Sequence, residues 1–134
     1  MSRIDDIPEI QIANSIEEFD SLLGNGFSGV TVAYFWGHQC PNCEVFAAHL
    51  PQIREGLRGK VVRFLKANVY TIEALGTRFG LFGIPTFVLH DGTKSLGRMT
   101  SFHSDDFFVQ VIEEALTRSA VSVTSSRTQR FSNL

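Results

Sequence analysis

The chain has 134 residues, 43% hydrophobic and 19% charged, with a formal net charge of −2. That length fits one domain able to bury a sizeable core, and the balance is globular rather than disordered. The small net charge gives no case for nucleic acid or an anionic membrane surface, and no apolar run approaches the roughly 20 residues that span a bilayer.

Residues 1–9 are polar with scattered Ile and one Pro. Met1 to Glu9 carries Arg3, Asp5, Asp6 and Glu9 and no apolar stretch, so it reads as an extension rather than a secretory signal. The expectation is a soluble, cytoplasmic protein. Glu9 to Ala13 alternates, with Ile10 and Ile12 on one face, which predicts a short strand. Ser15 followed three residues later by Glu18 is a capping box. Ile16, Phe19, Leu22 and Leu23 follow at helical spacing, with Gly24 as the stop. Gly24 to Gly29 is a loop, and Val30 to Phe35 reads as a buried central strand.

After Cys43, the residues Val45, Phe46, Leu50, Ile53 and Leu57 line one helical face. Pro51 falls inside that run and predicts a kink or an early end. Arg58-Gly59-Lys60 is a turn, and Val61 to Val69 a second strong strand. Thr71 to Phe79 predicts a short helix with Ile72, Leu75 and Phe79 inward, closed by Gly80. Thr86 to His90 and Lys94 to Thr100 flank Asp91-Gly92, a hairpin signal. Ser104 opens a last helix with Asp105 and Asp106 in its first turn, where the dipole favours carboxylates. Its apolar face is Phe107, Phe108, Val111, Ile112, Ala115 and Leu116. From Thr117 the composition turns to Ser, Thr and Arg and reads as a loose tail.

The predicted order is β-α-β-α-β-α-β-β-α. A crossover helix between parallel strands plus a terminal hairpin implies an α/β fold, a central mixed sheet flanked by helices on both faces. The expected division is 1–13 for an N-terminal extension and first strand, 14–117 for the folded domain, and 118–134 for a flexible C-terminal tail.

The chemistry points to one stretch, Phe35-Trp36-Gly37-His38-Gln39-Cys40-Pro41-Asn42-Cys43. The only two cysteines are three apart, so one helical turn can present both sulfurs together. Cys-x-x-Cys between a strand and a helix is the redox reading of such a pair. The rival readings are a zinc half-site or an inert pair. Structural zinc takes four ligands, typically two such pairs, and here His49, His90 and His103 are scattered.

Thiol–disulfide exchange needs a thiolate, and a cysteine at a helix N-terminus gains one from unpaired N–H groups and the positive end of the dipole. Cys40 has that place, and Pro41 suits the first helical position because its missing N–H would be unpaired anyway. Glu44 opposes the thiolate, while His38, once protonated, favours it.

The chain resembles the thioredoxin family. The residues that carry the resemblance are Phe35-Trp36 before Cys40 and Cys43, Ile84-Pro85-Thr86, and Lys66 and Asn68 at matching distances from that proline. The match runs from about Ser15 to Leu116. The resemblance implies a thioredoxin-like fold and a protein-disulfide reductase in which Cys40 attacks, Cys43 resolves, and the two form a redox-active disulfide. It implies a cis bond before Pro85, whose backbone docks the substrate chain. Trp36, Pro41, Asn42, Pro85, Lys66, Tyr34 and His38 are then active-site support, with core packing as the other reading of Trp36 and Tyr34, a plain exposed loop residue that of His38, and a solvated strand end that of Lys66. Gln39, Phe82, Gly83, Ile84, Thr100 and Ser101 line a substrate groove, with plain loop packing as the other reading of the last five. The implied partners are protein disulfide substrates and a thioredoxin-reductase-like electron donor. A monomer with no cofactor, serving electron transport and cell redox homeostasis, completes the expectation.

Three positions depart from the family pattern. Pro41-Asn42 replaces Gly-Pro between the cysteines, and Gln39 replaces a tryptophan. Tyr34 replaces a buried aspartate thought to accept a proton from the resolving thiol. A tyrosine hydroxyl, ionising near pH 10, is a poor base at neutrality. The rival class is therefore a thioredoxin-fold binding or chaperone module with weak turnover, against which both retained cysteines weigh.

Overall fold

The computed structural model describes residues 6–125, with side chains described through Ser119. The elements in chain order are β1 (Ile10–Ala13), α1 (Ile16–Leu23), β2 (Val30–Trp36), α2 (Pro41–Gly56) and β3 (Val62–Asn68). They continue with α3 (Glu73–Phe79), β4 (Thr86–Asp91), β5 (Lys94–Met99) and α4 (Asp105–Ser125). One five-stranded sheet runs in the order β1-β3-β2-β4-β5. β1, β3 and β2 are parallel, and β4 and β5 are antiparallel. The predicted element order and the thioredoxin-like α/β architecture are the ones observed.

β2 is the central strand, which explains its unbroken apolar run: both faces are covered. On one face Val30, Val32 and Tyr34 pack with Phe46, Leu50 and Ile53 of α2 and with Phe108 and Ile112 of α4. On the other, Ala33 and Phe35 pack with Phe19 and Leu23 of α1 and with Leu75 of α3. Phe46 is the hub of the first face. Its ring centroid is 4.6 to 5.3 Å from those of Tyr34, Phe87, Phe102 and Phe108.

The capping box at α1 forms with one change. Ser15 Oγ accepts from the Glu18 N–H at 3.0 Å, but the Glu18 carboxylate accepts from Asn14 N–H at 2.7 Å, one residue before the cap. Ile10 lies against the core, whereas Ile12 is exposed on the edge strand. At Pro51 the helix does not end early. α2 continues to Gly56. Pro51 is exposed, and the carbonyl deprived of its partner belongs to Ala47, also exposed and able to bond water.

Two expectations about the second half are corrected. The hairpin turn is Gly92-Thr93 rather than Asp91-Gly92, because Asp91 pairs with Lys94. Gly92 takes φ 62°, matching the two-residue turn that wants glycine first. The last helix does not give way to a loose tail at 118; α4 is helical to Ser125. No Gly or Pro falls between Asp105 and Ser125, so nothing local forces a stop. The rest of the expected tail, 126–134, lies outside the described residues.

The middle of α2 is tied to the first residue of α4 by His49 Nδ1 and Asp105 Oδ1, 2.8 Å apart. At the other end of the sheet a polar row crosses it. Arg63 donates to Thr31 Oγ1 at 2.8 Å, to Gln11 Oε1 at 3.0 Å and to the Leu22 carbonyl at 2.7 Å. Its guanidinium therefore closes the C-terminal end of α1 from below while lying over the Phe27 ring.

Candidate active site

β2 delivers the site and α2 opens it. Between them Gly37, His38 and Gln39 make the bend. A Cβ on Gly37 would come within 2.8 Å of Ile84 Cδ1 and 2.9 Å of the Tyr70 ring, so any larger residue there must displace one of these two side chains. Gln39 holds φ 55°, the left-handed region that costs a side-chain-bearing residue about 1 kcal/mol. Its side chain is exposed, and the strained peptide turns the chain so that Cys40 becomes the N-cap of α2.

Cys40 and Cys43 are joined as a disulfide, with Cα atoms 5.2 Å apart. Cys40 is 7% exposed and Cys43 only 4%. The Cys40 sulfur accepts from the Cys43 N–H at 3.1 Å, which is the hydrogen bond a capping oxygen would normally take. In the reduced state the same N–H, with the helix dipole behind it, stabilises a Cys40 thiolate. Cys40 Sγ also lies 3.6 Å from the Ile84 carbonyl oxygen, and as a thiol it can donate there. The Ile84–Pro85 peptide is cis, and Thr86 Oγ1 donates to the Gly83 carbonyl at 2.7 Å, closing the loop that carries it.

Tyr34 is buried under α2. Its ring contacts Phe46 and Phe87, and burial pushes its hydroxyl pKa up to about 12. At neutral pH it therefore stays protonated, with even less phenolate to accept a proton than an ordinary tyrosine. Lys66 pairs with Tyr34 across the strands, and its Nζ stands 4.8 Å above the Trp36 ring and 5.8 Å from the Tyr34 ring. Ring faces hold this cation; no hydrogen bond does so among the described residues.

The other expected site residues divide. Pro41 occupies the first turn of α2, and Pro41 and Asn42 are exposed beside the disulfide. His38 is exposed with its ring edge-on to Trp36 at 5.0 Å. Phe82 and Gly83 are exposed just before Ile84. Thr100 and Ser101 are exposed after β5, whose Met99 pairs with Phe87. They reach the right end of the sheet, yet Ser101 Oγ is engaged with His103 Nε2 at 3.0 Å. Sequence reasoning missed Tyr70. It is 56% exposed, and its ring lies close to Gly37. An aromatic residue just past a strand end gives little signal in one sequence, because its contacts are with residues far along the chain.

Among the described residues no group of three or more His, Cys, Asp and Glu side chains is placed to hold a metal, and no helix is long and apolar enough to cross a membrane.

Comparison with known proteins points the same way. The chain is 26% identical over 89 residues to the thioredoxin of Staphylococcus saprophyticus, covering 66% of this chain and 85% of that one. It is 25% identical over 97 residues to glutaredoxin 3 of Danio rerio, covering 70% of this chain but only 28% of that longer protein. The fold superposes on a mutant thioredoxin of Halobacterium salinarum with a TM-score of 0.69 at 20% identity, covering 87% and 96% of the two chains. The family model named Thioredoxin matches residues 5–114, nearly the whole described body, and the chain belongs to the thioredoxin family.

Proposed function

We propose that the protein is a thiol–disulfide oxidoreductase that reduces disulfides in other proteins. The observation that carries this reading is the Cys40 sulfur acting as the cap of α2, bonded to the Cys43 N–H and within bonding reach of the Cys43 sulfur. In the reduced protein the Cys40 thiolate attacks one sulfur of a partner disulfide. A Cys40–partner bond forms, the partner's bond breaks, and its second sulfur leaves as a thiolate. The Cys43 thiolate then attacks Cys40 Sγ. The internal disulfide forms, the first partner sulfur is released, and the partner has gained two electrons. A thioredoxin-reductase-like donor returns two electrons to Cys40–Cys43, which fits a reducing, cytoplasmic setting, a monomer and a role in redox homeostasis. The backbone around Pro85, with Ile84 against Cys40, receives the partner's chain.

Tyr34 changes the second half of the cycle. With its hydroxyl held near 12 it takes no proton from Cys43, so water carries that proton, and the charge of Lys66 favours the thiolate.

An insulin-type disulfide reduction assay tests the proposal. Wild type turns over, and Cys40→Ser and Cys43→Ser both lose activity. Cys43→Ser also accumulates a mixed disulfide, visible by mass. A wild type that binds partner proteins without turnover is instead a binding or chaperone module.

A further inference from the structure

A strap of residues 6–9 stands off β3 and leaves a cavity between the two. The Glu9 carbonyl accepts from the Phe64 N–H at 2.8 Å, and the Asp6 carbonyl from the Gly59 N–H at 3.3 Å. Between these ties the ladder is broken. The Val62 N–H turns back to the Lys60 carbonyl, and the Pro8 carbonyl accepts from Arg54 Nε. The cavity measures about 400 Å³, with apolar walls from Ile7, Pro8, Phe27, Val61 and Val62. That volume takes a small molecule.

One buried polar side chain, Arg63, lines it. Arg63 is 3% exposed and lies over the Phe27 ring. Its acceptors are the Thr31 hydroxyl, the Gln11 amide oxygen and the Leu22 and Leu23 carbonyls, all of them neutral. A guanidinium has five N–H groups, so one Nη1 hydrogen has no partner among the described residues. A buried cation is ordinarily paired with an anion. Glu9 lines the same cavity but forms no ion pair with Arg63, acting on it only through its charge. The remaining charged groups of the lining, Asp6 and Lys60, are exposed like Glu9, where water and salt screen them.

We propose that this cavity binds a small organic acid, its apolar body against Ile7, Phe27 and Val61 and its carboxylate on the unpartnered Nη1–H of Arg63. The occupant is a free acid rather than a protein segment, because the strap and β3 wall the space on two sides and its volume suits one small molecule. The site is independent of disulfide exchange. It opens at the Val62 end of β3, whereas Trp36 pairs with Asn68 at the other end, about 20 Å along the strand.

The test titrates octanoate into isotope-labelled full-length protein, with octanol, octylammonium and acetate as controls. Octanoate is expected to shift the Gly59, Val62 and Arg63 amides and the Arg63 Nε–H. It should bind about tenfold more tightly than any of the three controls. Arg63→Met removes the preference for octanoate over octanol. Val61 is half exposed, so Val61→Trp narrows the cavity without loading the core, weakening octanoate several-fold at an unchanged melting temperature. Both variants keep the wild-type rate of Cys40 with a small disulfide. Octanol binding as tightly as octanoate means a merely apolar cavity, and acetate binding as tightly means a bare anion site; either overturns the inference. So does octanoate binding that leaves these amides unmoved, or that neither variant weakens. A wild type that takes no octanoate also overturns it. Binding then gained by Ile4→Ser with Asp5→Ser identifies the chain's own N-terminal residues as the occupant.

Discussion

β3 carries two cations three residues apart, and they live in opposite ways. Arg63 is 3% exposed and makes hydrogen bonds to Thr31, Gln11 and the carbonyls that end α1. Lys66, on the other face beside the active site, has only the rings of Tyr34 and Trp36 around its ammonium among the described residues. Arginine suits the first place because its planar fork can serve several acceptors at once; lysine suits the second as a compact point charge. A cation bonded to several fixed acceptors holds a structure together. One held only by ring faces keeps its field available to a charge that comes and goes, and in the proposed reaction that charge is the Cys43 thiolate.

The largest expected effect comes from removing the hydrogen-bonded cation. Arg63→Met leaves Thr31, Gln11 and the Leu22 carbonyl without their donor. Unmade buried bonds of this kind cost about 3 kcal/mol together, which lowers the melting temperature by about 10 °C in a domain of this size. The rate of Cys40 with a small disulfide stays unchanged, since the row is at the far end of the sheet. A melting temperature within about 2 °C of wild type on the same scale removes Arg63 as the anchor of α1.

The difference between the two cations is only partly legible in the sequence. Periodicity and the Gly, Pro and Ser punctuation give the elements and their order, because local pattern decides them. The Cys-x-x-Cys and Ile-Pro-Thr stretches give the chemistry through a family resemblance. Arg63, however, interrupts an apolar strand with no local reason. Its partners lie on β1, β2 and the end of α1, and only the strand order β1-β3-β2-β4 brings them together. The left-handed Gln39 is equally silent, since nothing in its identity asks for φ 55°. Tyr70 over Gly37 depends on where two loops end.

Next in size is Tyr34→Asp, which supplies the carboxylate that Lys66 lacks. The release step is expected to speed by about tenfold as the new group accepts the Cys43 proton. Stability falls by about 3 kcal/mol, because the ring contacts with Phe46 and Phe87 are lost and a carboxylate is buried. Stopped-flow release of a trapped partner and urea unfolding read the two effects separately. A release rate that is unchanged or lower sinks the assignment of the slow proton to this position.

His90 extends the Arg63 row by one strand, pairing with Thr31 across β2 and β4. It is buried, its Nδ1 meets no hydrogen-bond partner of good geometry among the described residues, and its ring meets Phe79 edge-on. Burial lowers its pKa below the ordinary value of 6.5. At pH above 6.5 both folded and unfolded forms are neutral, and the full stability is present. As pH falls below 6.5 the unfolded chain takes up a proton that the folded one refuses. Stability then drops by at most about 1.4 kcal/mol per pH unit until the lowered pKa is reached. Denaturant melts between pH 7 and 5 are expected to show this loss and to show less of it in His90→Leu. Identical slopes in the two proteins mean that other groups carry the acid sensitivity.

The smallest effect sharpens the comparison most. Lys66→Met keeps the stem that packs on Tyr34 and Trp36 and removes only the charge. With no hydrogen bond to lose, the melting temperature is expected to stay within about 3 °C of wild type, in contrast to Arg63→Met. The release step should slow a few-fold at pH 7, and its pH profile should move upward, because the Cys43 thiolate has lost a favourable neighbour. The first attack by Cys40, stabilised by the α2 N-terminus rather than by Lys66, keeps its rate and its pH dependence. A Lys66→Met protein that melts far below wild type while releasing its partner at an unchanged rate reverses the assignment, making Lys66 the structural cation and leaving Cys43 to ionise without help.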